Sequence, residues 1–512
     1  MTRDPLETGI SCFSLEHGRP GDRTARRDFW LSTCYLRSAR LSAHAQGDAR
    51  ARVLGPGHSG SLNLTTGCAV ACPSTGLCPG TPHPKRPELV ILYNLFPPLA
   101  GTFTDWKPHL LRASRMGCDW VFVNPLQKPG RSKSLYSVFD YFDLNPLFVD
   151  PQSSSSGFDQ LREAISEAQK LGLEMMTDLV INHSAIDSPL CRRHPEWFVR
   201  ERGKLAHAFC VEEDGTKVVW KDLARFDFEH TPDPNGLFDY VVRIVELLLE
   251  LGFRGFRCDA AYQVPARIWQ RLIRRIKSRS PKTVFVAETL GCSPQKTLAT
   301  ATAGFDWIFN SSKWWDFEAP WLLKQYELTR LVAPSIGFPE SHDTDRLFAE
   351  SGGNEAAMKQ RYLFTALFSS GVMLPIGFEY GFRKRLHVVS TRPTDWETPS
   401  IDLIEFISAT HLVKRSCPVF AEECRLRTFT HDNPQVLILG KGSSKSGQQG
   451  LILLNKDTHN RQQVWFDSFS RFFNKPGKLR CVSPENPMPE VHQPFHYELR
   501  PGEAVVIVSD PI

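Results

Sequence analysis

The stretch FRGFRCDAAYQVPARIWQRLIRRIKSRSPKTVFVAET, residues 253–289, holds one complete repeat of the architecture. Residues 253–259 form a short apolar run that closes on Arg257, Cys258 and Asp259, and residues 284–289 form another that closes on Glu288. Between them, residues 265–278 carry apolar side chains at three- and four-residue steps, the period of an amphipathic helix. Strand, helix, strand in this order predicts a parallel βαβ unit. The same rhythm runs outward in both directions. Further apolar runs lie at residues 89–96, 120–124, 173–182, 307–310, 335–340 and 372–378, with helical candidates at 158–171, 237–251 and 354–368. Eight strand runs across residues 88–417 predict an α/β fold, a TIM (β/α)8 barrel, in preference to an open doubly wound sheet.

The longest interruption, residues 183–235 after the third strand, is rich in Trp, His, Asp and Pro and reads as a short inserted subdomain. From residue 418 to 512 the helices stop and short alternating runs predict a C-terminal antiparallel β-sandwich domain. Residues 1–87, with Arg, Ser, Gly, Pro and scattered Cys but no sustained period, read as a disordered extension.

Composition narrows the function classes. Of 512 residues, 61 are Lys or Arg and 56 are Asp or Glu, a net charge of +5 that gives no reason to expect nucleic acid as a partner. No apolar run reaches the roughly 18 residues of a membrane span and the N-terminus has no apolar signal core, so neither a membrane partner nor secretion is expected. The 13 cysteines are dispersed without repeated C-x-x-C pairs, which suits reduced thiols and a cytoplasmic location. Cys68, Cys72 and Cys78 lack a fourth ligand at finger spacing, and no metal or cofactor is called on them. Oligomeric state is left open.

Barrel enzymes place reacting groups at the C-terminal ends of strands, and here those ends are acidic. The third run contains Asp178 and ends Asn182-His183, the fourth ends Arg257-Cys-Asp259, the fifth ends at Glu288, and the seventh is followed by His342 and Asp343. In a closed barrel Asp259, Glu288 and Asp343 would share one mouth. Crowded carboxylates raise at least one pKa, leaving a protonated acid beside an ionised neighbour, the pair that retaining glycoside cleavage requires. Arg257, two residues before Asp259 and on the same strand face, would hold that carboxylate charged and oriented, and His183 and His342 could donate to sugar hydroxyls.

These segments resemble the α-amylase family, glycoside hydrolase family 13. DLVINH (178–183), GFRCDAA (255–261), FVAET (285–289) and ESHD (340–343) are similar to its four signature regions in order, and Leu135-Tyr136-Ser-Val-Phe-Asp140-Tyr141 is similar to its G-Y-x-x-x-D-Y motif. The resemblance implies Asp259 as nucleophile, Glu288 as general acid/base and Asp343 as the carboxylate that binds ring hydroxyls. It implies Tyr136, His183, Arg257 and His342 as substrate-positioning groups, an α-glucan or maltooligosaccharide substrate, and a structural role for Asp178. No cofactor is required, although Asn182 matches a position that binds structural calcium in many members. Tyr262-Gln263 replace the Lys-His pair usual after the second region, and Leu135 replaces a Gly. These changes and the short excursion speak against ordinary endo-acting starch hydrolysis, and His194-Pro-Glu-Trp-Phe198 and Phe285-Val-Ala-Glu288, with the short excursion, look closer to the branch with maltosyltransferases that use maltose 1-phosphate. Among these 512 residues no counterpart is expected for the large N-terminal domain usual there. Hydrolysis, transfer and a non-catalytic glycan-binding barrel are the competing readings. Trp314-Trp315 and Trp197-Phe198 are read as packing, Cys258 as a packed hydrophobe, and Glu379 with Arg383 as either pocket lining or an ion pair.

Overall fold

A computed structural model describes residues 89–511 except 212–215 and 475. The reading of residues 1–87, the three cysteines included, lies outside the described residues. Eight parallel strands close a barrel: β1 (Val90–Leu95), β2 (Trp120–Val123), β3 (Glu174–Leu179), β4 (Gly255–Cys258), β5 (Val284–Ala287), β6 (Trp307–Phe309), β7 (Ser335–Gly337) and β8 (Gly371–Pro375). Neighbours in sequence are neighbours in the sheet, and β1 pairs with β8 from Val90 opposite Gly371. The intervening helices are α1 (Lys107–Arg115), α2 (Gly157–Lys170), α3 (Pro234–Leu251), α4 (Ala266–Lys277), α5 (Pro294–Ala301), α6 (Trp321–Thr329) and α7 (Glu355–Phe368), with α8 (Ile404–Ser416) following β8.

Strand parity divides the core. Val90, Leu92, Phe122, Met176, Val284, Val286, Trp307, Ile336 and Met373 fill the barrel interior, whereas Ile91, Tyr93, Val121, Met175, Phe256, Phe285 and Val372 pack outward on the helices. Gly371 is small by necessity, because a Cβ there would meet Ile336 Cγ1 at 2.5 Å. Parity also aims Asp178, Arg257 and Glu288 inward, each two residues beyond or level with an interior position. The excursion after β3 forms an antiparallel sheet of His183–Ala185, Lys217–Arg225 and His207–Val211. A second, unexpected hairpin, Gln127–Pro129 with Val138–Leu144, follows β2 and presents Tyr136 at its turn.

The C-terminal strands are β9 (Arg425–Phe429), β10 (Val436–Gly442), β11 (Gln449–Asn455), β12 (Gln462–Phe466), β13 (Leu479–Cys481), β14 (Phe495–Leu499) and β15 (Ala504–Ser509). They form an antiparallel sheet in the order β9-β10-β11-β15-β13 and a ribbon of β12 and β14. Alternate residues of the sheet bury in opposite directions. Ile438, Leu451, Leu453, Val505 and Ile507 pack with Val464, Phe466 and Phe495 of the ribbon, while Leu437, Leu439, Ile452, Leu454, Val506 and Val508 join the large core that includes the barrel helices. Two buried lysines close the C-terminal end of α7: Lys414 donates to the carbonyls of Ala366, Ser369 and Phe420 at 2.7, 2.6 and 2.9 Å, and Lys441 to those of Leu367 and Phe368 at 3.0 Å. Cations suit the negative end of the helix dipole and its unpaired carbonyls. Among the described residues no helix is long and apolar enough to cross a membrane.

Candidate active site

The site grows from β4. Arg257, buried and inward-facing, donates through one nitrogen to Asp178 Oδ1 at 2.7 Å and to Asp259 Oδ1 at 2.8 Å, and its other nitrogen lies 3.8 Å from Glu288 Oε2. One guanidinium therefore spans three carboxylates. Immediately after Asp259 the backbone turns through Ala260 at φ 38°, a left-handed conformation that an L side chain resists. That turn points the Ala260 N–H at Glu288 Oε2 (2.7 Å), and the Ala261 N–H at the Glu288 carbonyl (3.0 Å). Trp269 of α4 then donates to the Ala261 carbonyl at 2.9 Å, fixing the turn from below.

The second half is built around the Tyr136 hydroxyl. It donates to Asp178 Oδ2 at 2.9 Å, accepts from Asn124 Nδ2 at 3.0 Å, and lies 2.7 Å from His342 Nε2, with the two rings stacked at 5.8 Å. His342 Nε2 is also 3.0 Å from Asp343 Oδ2. Because the hydroxyl proton is committed to Asp178, Nε2 carries the proton that faces both oxygens. His183 Nε2 faces the Tyr136 carbonyl at 3.0 Å, and Tyr141 donates to the His183 carbonyl at 2.7 Å. An unbroken chain of hydrogen bonds and ion pairs thus runs from Asp343 through His342, Tyr136, Asp178 and Arg257 to Asp259. All seven residues singled out in the sequence meet at the C-terminal ends of the strands.

Environment separates the carboxyl groups. Burial pushes Glu288 up to about 7, with Arg257 opposing and Asp259 adding to the rise. Burial likewise raises Asp178 to about 6 against the pull of Arg257. At Asp343 desolvation acts upward, but His342 and then Arg257 and Arg385 outweigh it and hold the carboxyl down at about 2. Asp343 sits at the rim with 59% of its side chain facing solvent, which partly screens these partners. His183 is lowered by burial.

Three contributors escaped the sequence reading. Asn124 ends the second apolar run and could have been found as the polar residue at that strand end. It links Asn94 (2.9 Å) to Tyr136. Ala260 acts through backbone alone and leaves no mark in residue type. Arg385, after β8, donates to the Asp343 carbonyl at 2.7 Å, and only the basic run 383–385 hints at it. Glu379 and Arg383 correct the reading made of them. Glu379 is buried against Arg112 (2.5 Å) and Tyr93 (2.9 Å), because the turn at Gly377 directs it outward behind β1, while Arg383 lies over the Phe348 ring at 4.6 Å. Trp315, Trp197 and Phe198 are buried in the core, and Cys258 faces outward from β4 among apolar groups. The buried Asn182 Oδ1 has no partner, yet no group of three or more His, Cys, Asp or Glu able to hold a metal surrounds it among the described residues.

The family of the glycogen debranching enzyme glucanotransferase domain matches residues 88–201. An α-1,4-glucan:maltose-1-phosphate maltosyltransferase of Burkholderia pseudomallei is 24% identical over 372 residues, covering 70% of this chain and 32% of that protein. Maltosyltransferase 1 of Streptomyces coelicolor is 23% identical over 400 residues, covering 71% and 57%. The chain is thus similar over part of its length to a glycogen debranching enzyme glucanotransferase domain and to maltosyltransferases. It spans between about a third and three fifths of the length of these two relatives. The fold agrees: an α-amylase from Lactobacillus plantarum superposes with a TM-score of 0.66 at 18% identity, covering 83% of this chain and 99% of its own. A maltogenic α-amylase from Thermotoga neapolitana gives 0.65 at 20% identity, again covering 83% and 99%.

Proposed function

We propose that this chain is a retaining α-glucan glycosidase or transglycosylase of the α-amylase family that works by double displacement. The observation that carries the reading is the Arg257 guanidinium, which grips Asp259 at 2.8 Å and approaches Glu288 at 3.8 Å while burial keeps Glu288 protonated up to about 7. In the first step an Asp259 oxygen attacks the anomeric carbon. The bond to the leaving oxygen breaks as Glu288 delivers its proton, giving a glycosyl ester on Asp259 and a free leaving alcohol. In the second step Glu288, now a carboxylate, takes the proton of water or an acceptor hydroxyl, which attacks the same carbon and releases Asp259. Asp343 and His342 bind ring hydroxyls, and substrate arrival exchanges their mutual contact for contacts to sugar. Tyr136 and His183 shape the floor. No cofactor enters either step.

Transfer from a glycosyl phosphate is the second reading, favoured by the maltosyltransferase relatives. There phosphate is the leaving group and an α-glucan hydroxyl the acceptor. Products from maltoheptaose and from maltose 1-phosphate, resolved by length, separate the two. Asp259→Asn is expected to abolish turnover of either donor. Glu288→Gln with an α-glucosyl fluoride is expected to accumulate a covalent adduct on Asp259, visible by peptide mass spectrometry. Near-normal turnover in Asp259→Asn would end the proposal, and binding without turnover across such donors would favour a non-catalytic glycan-binding barrel. The same reading expects the protein in the cytoplasm, which fractionation tests.

A further inference from the structure

Away from the mouth, a groove of about 590 Å³ runs between α3 and α4 on the outside of the barrel. Its volume lies within the range of small-molecule sites. Arg267, Arg271, Arg274 and Arg275 line one wall and Phe238 and Asp239 the other, with Gln270 between the arginines. The apolar residues of α4, Trp269, Leu272, Ile273 and Ile276, face the barrel, so all four guanidiniums are forced onto one exposed stripe. Like charges at four-residue spacing repel. Arg267 is neutralised by Glu229 at 2.6 Å, and Arg271 sits over the Phe238 ring at 3.7 Å and is tied to Asn235 at 3.0 Å. The Arg274 and Arg275 side chains have no ion pair or hydrogen-bond partner among the described residues.

We propose that this groove binds a phosphorylated sugar, with its phosphate on Arg271, Arg274 and Arg275 and its hydroxyls on Asp239 and Gln270. Guanidinium forks match phosphate oxygens in pairs, and Arg271, already stacked and tethered, meets an anion with little further ordering. The exposed Asp239 carboxylate opposite them repels a bare anion but accepts hydrogen bonds from hydroxyls. That combination selects a polyol phosphate over inorganic phosphate or an acidic peptide. The same chemistry occurs in a free hexose phosphate and in a phosphate monoester carried on a glucan chain.

Calorimetric titration of the full chain with glucose 6-phosphate, glucose, inorganic phosphate and an oligoglutamate tests the proposal, with phosphorylated and dephosphorylated amylopectin compared by affinity electrophoresis. Glucose 6-phosphate, phosphorylated amylopectin or both should bind at least about tenfold tighter than their phosphate-free counterparts and than inorganic phosphate. The advantage should shrink as salt rises from roughly 50 to 300 mM. The double variant Arg274→Ala/Arg275→Ala should lose at least about tenfold in that affinity while turning over maltoheptaose at the wild-type rate. Retardation by phosphorylated amylopectin alone assigns the glucan as source, and binding of glucose 6-phosphate alone assigns the free sugar phosphate. Unchanged affinity in the double variant, equal or tighter binding of inorganic phosphate or oligoglutamate, or no binding of either phosphorylated ligand overturns the proposal. The binding readouts do not depend on Asp259 and decide this site by themselves, so it and the catalytic reading fail separately.

Discussion

Burial works directly against the charged form of Glu288. Its folded pKa of about 7 lies above the ordinary value of 4.5, so between those pH values the folded chain binds more protons than the unfolded one. Stability therefore falls as pH rises through this window, by on the order of 3 kcal/mol once complete. Glu288→Gln is expected to raise Tm at pH 8 and to leave it unchanged near pH 4, measured by differential scanning calorimetry. The same titration sets activity: kcat/KM for wild type should decline above about pH 7 as the acid loses its proton. Arg257→Lys tests the shared guanidinium. A single ammonium keeps the charge but cannot reach Asp178 and Asp259 together while approaching Glu288, so kcat should fall by about two orders of magnitude or more with circular dichroism unchanged. Arg257, Asp259 and Glu288 were legible because strand alternation sends them inward at the ends of apolar runs. Asn124 was legible by the same rule but not read so. Ala260 was silent, because nothing in an alanine announces a left-handed backbone.

At the level of elements, α7 is held by two lysines that arrive from distant parts of the chain. Lys414 has all three ammonium protons on carbonyls, and burial, then the nearby Lys441, lowers its pKa. Lys414→Met removes three donors and leaves buried carbonyls unpaired, and should cost about 3 kcal/mol in urea denaturation with little change in KM. Helix positions were legible from spacing: residues predicted as 158–171 and 354–368 form α2 (Gly157–Lys170) and α7 (Glu355–Phe368). The hairpin that carries Tyr136 was not, because Gln127–Pro129 and Val138–Leu144 are half-polar and pair with register shifts, which blurs the alternation that marks a strand.

For the whole molecule, the two-sided burial of the C-terminal sheet decides how the chain comes apart. Leu437, Leu439, Ile452, Leu454, Val506 and Val508 belong to the same core as the barrel helices, so neither part can release the other without exposing apolar surface. Residues 89–511 should unfold in one calorimetric transition, and a chain ending at residue 417 should be recovered aggregated. Two separate transitions would show that the regions on either side of residue 418 are independent. Short runs of Val, Leu and Ile made the strands visible in sequence, but which strands pair, β11 with β15 across some fifty intervening residues, depends on long-range contacts that no local pattern encodes.

The bend at Ala260 reaches further than its single residue. By tying the peptide after Asp259 directly to the side chain and main chain of Glu288, it gears the spacing of the two reactive groups to neighbouring strands and leaves the rim out of that setting. Away from Tyr136, His183 and Arg385, the loops after β2, β3 and β8 can lengthen or shorten without changing that spacing. Descendants of such a chain are free to explore new donors and acceptors while inheriting an unaltered chemical engine.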